Sequence, residues 1–161
     1  MKRKIIIALA FSLIALYGGM AYAQTYKTAI GFRGGPYSGV TVKHFIGENK
    51  AVEGILANKF KGISIIGILE FQKPTTTENL YWYWGYGGHV GLYNRYRYYD
   101  ASSSHYSSGD FTTIGIDGIL GLEYQFKDIP LELSVDFKPY IDFIYPEFKI
   151  FDGAVSARYY F

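Results

Sequence analysis

The strongest constraint in this sequence is the strict alternation of its last nine residues, Gly153 to Phe161. Side chains of a β-strand point to opposite faces in turn, so every second residue shares a face. Small and apolar or aromatic side chains occupy one face, whereas the other carries Ser156 and Arg158. Such a strand is typical of a sheet that has an apolar environment on one side and a polar one on the other.

Two longer segments repeat the pattern. The apolar face of the segment around Leu120 opposes Asp117 and Glu123, and that of the segment around Val135 opposes Glu132 and Asp136. An apolar face of this length needs either lipid or a second sheet to cover it. The two apolar faces comprise Ile114, Ile116, Gly118, Leu120, Leu122, Tyr124 and Phe126, and Leu131, Leu133, Val135, Phe137, Pro139, Ile141 and Phe143.

Turn residues divide the rest of the chain into similar segments, which predicts eight antiparallel strands. An even number suits a closed antiparallel barrel, and a long connection at Arg95 to Asp110 suits the long outer loops of membrane barrels. The predicted strands are Tyr26 to Gly34, Gly39 to Ile46, Ala51 to Lys59, Gly62 to Lys73, Leu80 to Asn94, Phe111 to Lys127, Leu131 to Tyr145 and Lys149 to Phe161.

The first 23 residues have the pattern of a secretory signal peptide. Lys2, Arg3 and Lys4 precede an apolar run, and Ala21 to Ala23 forms a small-residue cleavage site. Cleavage would leave residues 24–161 as one domain, and the absence of cysteine excludes a lipid-anchored lipoprotein. The whole chain has a formal charge of +2, and loss of the three leader cations changes it to −1. Nothing in that balance indicates a nucleic-acid partner.

The segments Gly115 to Phe143 and Gly153 to Phe161 resemble the small eight-stranded outer-membrane β-barrel proteins of the OmpA/OmpX type, in particular the single-domain members without a periplasmic extension. The run from Ile129 to Pro139, IPLELSVDFKP, is the most specific part of the likeness. The resemblance implies an all-β transmembrane barrel of the bacterial outer membrane, in contact with outer-membrane lipid and lipopolysaccharide. It also implies that Tyr159 and Phe161 form a C-terminal signal for the outer-membrane assembly machinery. It supplies no catalytic residues.

The opposite orientation, with apolar side chains inside, would describe a soluble lipocalin-like ligand binder. The terminal Phe161 and the aromatic residues at strand ends favour the lipid-facing orientation, because aromatic girdles mark both edges of a membrane. Pro139 conflicts with a regular strand, since proline has no N–H to donate. A bulge or a bound water could resolve that conflict.

With apolar faces outward, the barrel interior collects nearly equal numbers of positive and negative side chains. Buried charges must be paired, so the sequence predicts an ion-pair network that fills the lumen. A conduit for water or ions is the alternative, and His89 would lie within the network. The network comprises Arg33, Lys43, Glu53, Glu70, Asp117, Glu123, Glu132, Asp136, Lys138 and Arg158, with Lys27, Lys59 and Asp142 in addition.

His105 and Ser107 form the one candidate catalytic pattern in the sequence. Outer-membrane lipid A deacylases use a histidine to activate a serine toward an acyl ester, so a deacylase-like enzyme is the alternative function. These two residues lie in a Ser-rich segment that we predict to be a mobile outer loop, which is a poor place for catalysis. We therefore predict a structural or cell-surface interaction protein rather than an enzyme, with no cofactor and no metal site.

The same outer segment is the candidate surface for recognition, although its ligand is unknown from sequence. Tyrosine and arginine are enriched at binding hot spots, and arginine pairs well with lipopolysaccharide phosphates. The residues concerned are Arg95, Tyr96, Arg97, Tyr98 and Tyr99.

Overall fold

A computed structural model of the chain describes residues 27–59, 62–100, 105–143, 148–149 and 152–161. All regular secondary structure in these ranges is β-strand. No helix among them is long and apolar enough to cross a membrane. The predicted signal peptide lies outside the described residues.

Ten strands form a single antiparallel sheet within the described ranges. Valine, isoleucine, tyrosine and phenylalanine recur at alternate positions along them, and these residue types suit a pleated surface. The strands are β1 (Thr28–Gly34), β2 (Ser38–Gly47), β3 (Lys50–Lys59), β4 (Gly62–Pro74), β5 (Leu80–Asp100), β6 (His105–Gln125), β7 (Leu131–Phe137), β8 (Tyr140–Asp142), β9 (Phe148–Lys149) and β10 (Gly153–Tyr160).

The sheet closes on itself. Neighbouring strands pair in chain order from β1 to β7, and β10 pairs with both β7 and β1. Because β8 continues β7 and β9 leads into β10, the ten segments make up eight continuous strands of the barrel wall, which we call staves. The predicted eight-stranded barrel is therefore confirmed. We call the end with the connections at 48–49, 75–79 and 126–130 the turn end, and the opposite end the loop end.

The exposure of the side chains is the reverse of that in a soluble protein. Phe32, Ile65, Leu120 and Val155 expose 53 to 68% of their surface, whereas Arg158 is almost completely buried. In water, a protein is more stable when its charged groups are exposed and its apolar side chains are buried. The opposite arrangement here suits a barrel whose outer surface is in contact with lipid. The alternative with an aliphatic centre and a polar outer surface is wrong for the described strands.

In the segment from Arg95 to Asp110, the described residues 95–100 and 105–110 form strands rather than the mobile loop that we predicted. The β5–β6 hairpin continues through it, with pairs from Tyr96↔Gly109 to Asp100↔His105. Pairing of β5 with β4 ends at Gly62↔Tyr93. The hairpin therefore extends roughly 20 Å along β5 past that point, at 3.3 Å per residue. The prediction failed because tyrosine, arginine and serine on both faces hide the alternation, although the backbone still pairs.

The predicted seventh strand is interrupted at Lys138 and Pro139. Its pairing with β6 keeps one register across the break, and the Gly118 N–H donates to the Pro139 carbonyl at 2.9 Å. On the other side, Lys149 pairs with Tyr140 and Gly153 pairs with Phe137. Four residue steps on that strand therefore correspond to three steps here. One extra residue there is a β-bulge in the neighbouring stave. That residue lies on the β10 side, whereas the bond that Pro139 cannot donate is the one to Gly118 on β6, so the expected bulge at the proline itself is not found in the described pairing.

Candidate functional site

The ten predicted network residues are all buried inside the barrel, and two details of the charge prediction are wrong. Lys27 is exposed before β1 rather than internal, and Asp152, which we assigned to no site, is buried against Lys138. Asp152 has the same parity as Ser156 and Arg158 and is buried as they are, so the alternation of its strand already places it inside. The side chain of Lys59 lies outside the described set.

Near the turn end, two cations hold four glutamates. Lys43 Nζ lies 2.6 Å from Glu123 Oε2 and 3.0 Å from Glu70 Oε2. The Arg158 guanidinium contacts Glu132 at 2.9 Å and also bonds to Glu53. These side chains come from six different strands, so the network ties together opposite walls of the barrel. We call these six residues the turn-end network.

Halfway along the barrel, Arg33 and Asp136 form a bidentate pair. Arg33 Nη1 and Nη2 donate to the two carboxylate oxygens of Asp136 at 2.6 and 2.5 Å. The Tyr83 hydroxyl donates to the same carboxylate at 3.2 Å. Parallel N–H bonds to both oxygens are the strongest geometry available to a guanidinium and a carboxylate.

Near the loop end, His89 lies between two carboxylates. Its Nδ1 is 2.6 Å from Asp117 Oδ2, and its Nε2 is 2.7 Å from Asp142 Oδ1. Lys138 Nζ reaches the other oxygen of Asp117 at 2.7 Å and Asp152 at 3.3 Å. With both ring nitrogens against carboxylates, the arrangement suits a doubly protonated imidazole that donates twice. These five residues form the loop-end network.

An apolar cluster separates the two networks, and sequence reasoning did not find it. Isoleucine side chains from β3, β4 and β6 point inward and pack against Tyr83 and Tyr140. Their positions in the alternation place them inside, but these strands also have apolar residues on the outward face, so the sequence does not distinguish the two sets. The interior of an eight-stranded barrel is just wide enough to be filled by side chains. The filled core consists of Tyr37, Ile55, Ala57, Ile66, Ile68, Tyr83, Ile119 and Tyr140.

Two solved structures of outer-membrane proteins are similar to this chain. The chain matches the N-terminal β-barrel domain of Pseudomonas aeruginosa OprF with a TM-score of 0.68 and 12% identity, over 85% of this chain and 100% of that one. It also matches Neisserial surface protein A with a TM-score of 0.52 and 14% identity, over 83% of this chain and 93% of that one. The chain has the fold of an eight-stranded outer-membrane β-barrel. No protein-family model and no curated protein sequence matches it.

At this level of identity the outer-membrane barrel fold is shared, and the side chains inside it must be read from this chain alone. Among the described residues, no group of three or more histidine, aspartate or glutamate side chains is placed to hold a metal ion. The interior contains paired charges and packed rings.

Glycines on β6 make room for the large interior side chains of β5. A Cβ built at Gly121 would lie 2.5 Å from Tyr83 Cζ and 2.8 Å from Asp136 Cβ. One built at Gly115 would lie 2.6 Å from His89 Cε1. Gly85 on β5 also lies on the inward face. At Gly85, a Cβ would instead meet the backbone of Leu69 and isoleucine side chains.

Replacement of Gly121 by alanine is therefore expected to displace Tyr83 and weaken its bond to Asp136. Forced repacking of a filled interior costs about 1 to 3 kcal/mol. Urea unfolding in lipid vesicles would measure the loss. Gly67→Ala is the matched control, because a Cβ there would meet nothing within 4 Å. Equal stability of the two variants would contradict the packing role of Gly121.

The predicted recognition residues Arg95 to Tyr99 lie on β5 in the hairpin extension, and His105 and Ser107 lie on the facing part of β6. The register pairs Asp100 with His105 and Tyr98 with Ser107. The argument that a mobile loop disfavours catalysis therefore no longer applies, and the deacylase reading has no further support from the described contacts.

The two residues of the predicted assembly signal lie at the turn end of β10. Tyr159 pairs with Ile30 and Leu131, and the Phe161 N–H donates to the Thr28 carbonyl at 2.9 Å. The Phe161 side chain is 64% exposed. Their role in assembly stays a prediction.

Proposed function

We propose that this chain is a bacterial outer-membrane protein that spans the bilayer as a closed barrel and acts through its surface rather than by catalysis. The observation that supports this most is the reversed burial: isoleucine, leucine and valine face outward while paired charges fill the interior. A bilayer stabilises that arrangement, whereas water would oppose it. The turn end would face the periplasm and the loop end the cell exterior, because outer-membrane barrels have short periplasmic turns.

The interior argues for a structural role of the two ionic networks. Their charged groups are almost completely buried and engage one another across the barrel axis, and the apolar cluster lies between them. These groups fill the described part of the interior, so we propose that the barrel is not a constitutive pore.

The hairpin extension supports a surface-interaction role. It lengthens β5 and β6 beyond the pairing of β5 with β4, and its sequence is rich in tyrosine and arginine. Residues of these types are favoured at recognition surfaces. In the proposed orientation they would meet lipopolysaccharide or a partner outside the cell.

Single-cysteine labelling tests the membrane placement directly, since the natural sequence contains no cysteine. We expect Ile116→Cys and Leu122→Cys to resist a water-soluble maleimide in intact outer membranes, because lipid covers both positions. Cysteine at Ile129, in an exposed turn, should react once the periplasmic side is opened. The protein should also stay with the membrane during a carbonate wash.

Release of the protein by carbonate, together with rapid labelling at Leu122, would overturn the proposal and favour a soluble binder. The enzyme alternative has its own test. Hydrolysis of lipid A acyl chains by the purified protein, abolished by Ser107→Ala, would overturn the non-catalytic part of the proposal.

A further inference from the structure

The outer surface of the barrel carries a cluster of aromatic and basic side chains at the turn end of β3, β4 and β5. Phe71 stacks on Trp84 with ring centroids 4.7 Å apart, and Tyr86 extends the stack at 6.2 Å from Phe71. The Lys50 ammonium lies 5.8 Å from the centre of the Phe71 ring. The Lys–Trp patch comprises Lys50, Phe71, Lys73, Trp82, Trp84 and Tyr86.

Register places two cations side by side in this patch. Lys50 is the cross-strand partner of Phe71, and Lys73 follows two residues later on the same face of β4. Diagonal neighbours of this kind have Cα atoms about 7 to 8 Å apart. The Lys73 ammonium lies 5.9 Å from the Trp82 ring, its own cross-strand partner. Two like charges at this spacing repel each other unless an anion lies between them.

Neither lysine forms an ion pair with a carboxylate among the residues that the structure describes. Both are exposed. At the same end of the barrel, Lys127 behaves differently, because its Nζ lies 2.5 Å from Glu78. The charge of the Lys–Trp patch is therefore available to an external anion, whereas that of Lys127 is partly neutralised.

The position of the patch along the strands identifies the kind of anion. Trp82 lies only two residues into β5 from the turn end, and a tryptophan ring there settles at the headgroup level of a bilayer, toward which lysine stems also extend. Val52, two residues along β3 from Lys50, is 44% exposed on the outward face, and Leu69 follows on β4. The surface thus changes from basic and aromatic to aliphatic over a few ångströms, as a phospholipid changes from phosphate to acyl chain.

We propose that the Lys–Trp patch binds an anionic glycerophospholipid. The lipid phosphate lies between the ammonium groups of Lys50 and Lys73, and one acyl chain runs over Tyr86, Leu69 and Val52. In the proposed orientation this is a lipid of the periplasmic leaflet, so the inference rests on the proposed membrane placement. Lysine near a membrane surface favours anionic lipid, and two unpaired lysines give a selective position on the barrel wall.

Intrinsic fluorescence can test the site without an added probe on the protein, because Trp82 and Trp84 are the only two tryptophans in the sequence. The purified protein is inserted into phosphatidylcholine vesicles that contain a small fraction of acyl-chain spin-labelled lipid. The label is carried by phosphatidylglycerol in one series and by phosphatidylcholine in the other. We expect phosphatidylglycerol to be favoured next to the tryptophans by about two- to fivefold at low salt.

Two double variants decide whether Lys50 and Lys73 cause the preference. Lys50→Gln with Lys73→Gln is expected to bring the ratio to about one, with unchanged quenching by labelled phosphatidylcholine. Lys27→Gln with Lys127→Gln removes the same charge from the same end of the barrel and should keep the wild-type ratio. Heat-modifiable migration shows that each variant is folded.

Equal quenching by the two lipids in the wild type would overturn the site, as would a preference that survives in the folded Lys50/Lys73 variant. If the Lys27/Lys127 control also lost the preference, the preference would come from general charge attraction rather than from Lys50 and Lys73. That result would overturn the site too. Failure of both labelled lipids to quench would instead overturn the membrane placement itself, and this inference with it.

Discussion

Replacement of Arg158 by methionine is expected to destabilise the folded barrel by about 3 to 5 kcal/mol. The guanidinium bonds to Glu53 and Glu132 and also reaches Ser134 Oγ at 3.1 Å, and all of these groups are buried. Methionine fills a similar length without charge, so two glutamates would lose their main cation in a medium that cannot solvate them. Urea unfolding in lipid vesicles, followed by tryptophan fluorescence, would measure the loss.

A compensating variant separates lost charge pairing from lost packing. Adding Glu53→Gln and Glu132→Gln to Arg158→Met removes the stranded charges, and we expect it to recover part of the stability. Arg158→Lys should fall between the wild type and Arg158→Met, because it keeps the charge but loses the planar fork. Wild-type stability of Arg158→Met would show that the turn-end network does not hold the barrel walls together.

Introduction of arginine at Leu120 is expected to cost about 2 to 4 kcal/mol, the value for a charge that faces the middle of a bilayer. Leu120 is 53% exposed and lies between Trp84 and Phe137 on the adjacent strands. Six residue steps separate it from Phe126 at the turn end of β6, which is roughly 20 Å along the strand at 3.3 Å per residue. The same unfolding measurement in vesicles would give the difference from wild type.

The matched control is Ile129→Arg. Ile129 is similarly exposed at 48%, but it lies in a turn beyond the strands, where arginine stays in water. We expect that change to cost less than about 1 kcal/mol. If Leu120→Arg were equally mild, the outer face of β6 would not be in contact with lipid, and the membrane placement would be wrong.

Much of the interior could be predicted because facing depends only on the parity of a residue within its strand. That rule placed Glu123, Glu132 and Arg158 inside, and it placed His89 there as well. It holds for Asp152 too, which shares the parity of Ser156 and Arg158 but was not counted among the interior charges. It could not show the isoleucine cluster, because an inward isoleucine looks no different in sequence from an outward one.

The partners of each charge could not be predicted. Arg158 bonds to Glu53, which is 105 residues away in the chain, and Arg33 bonds to Asp136 at a separation of 103 residues. Which side chains meet across the lumen depends on the stagger of all eight staves. The alternation within one strand contains no information about that stagger.

The sequence by itself determined the two-faced strands, their even number and the exclusion of charges from the middle of the outer surface, because these follow from the local period of a β-strand and the cost of placing a charge in lipid. Only the tertiary structure decided how the wall closes around Pro139, how far the β5–β6 hairpin extends, and how the buried charges divide into two networks. Closure joins residues from distant parts of the chain, so its consequences depend on the geometry of the whole barrel.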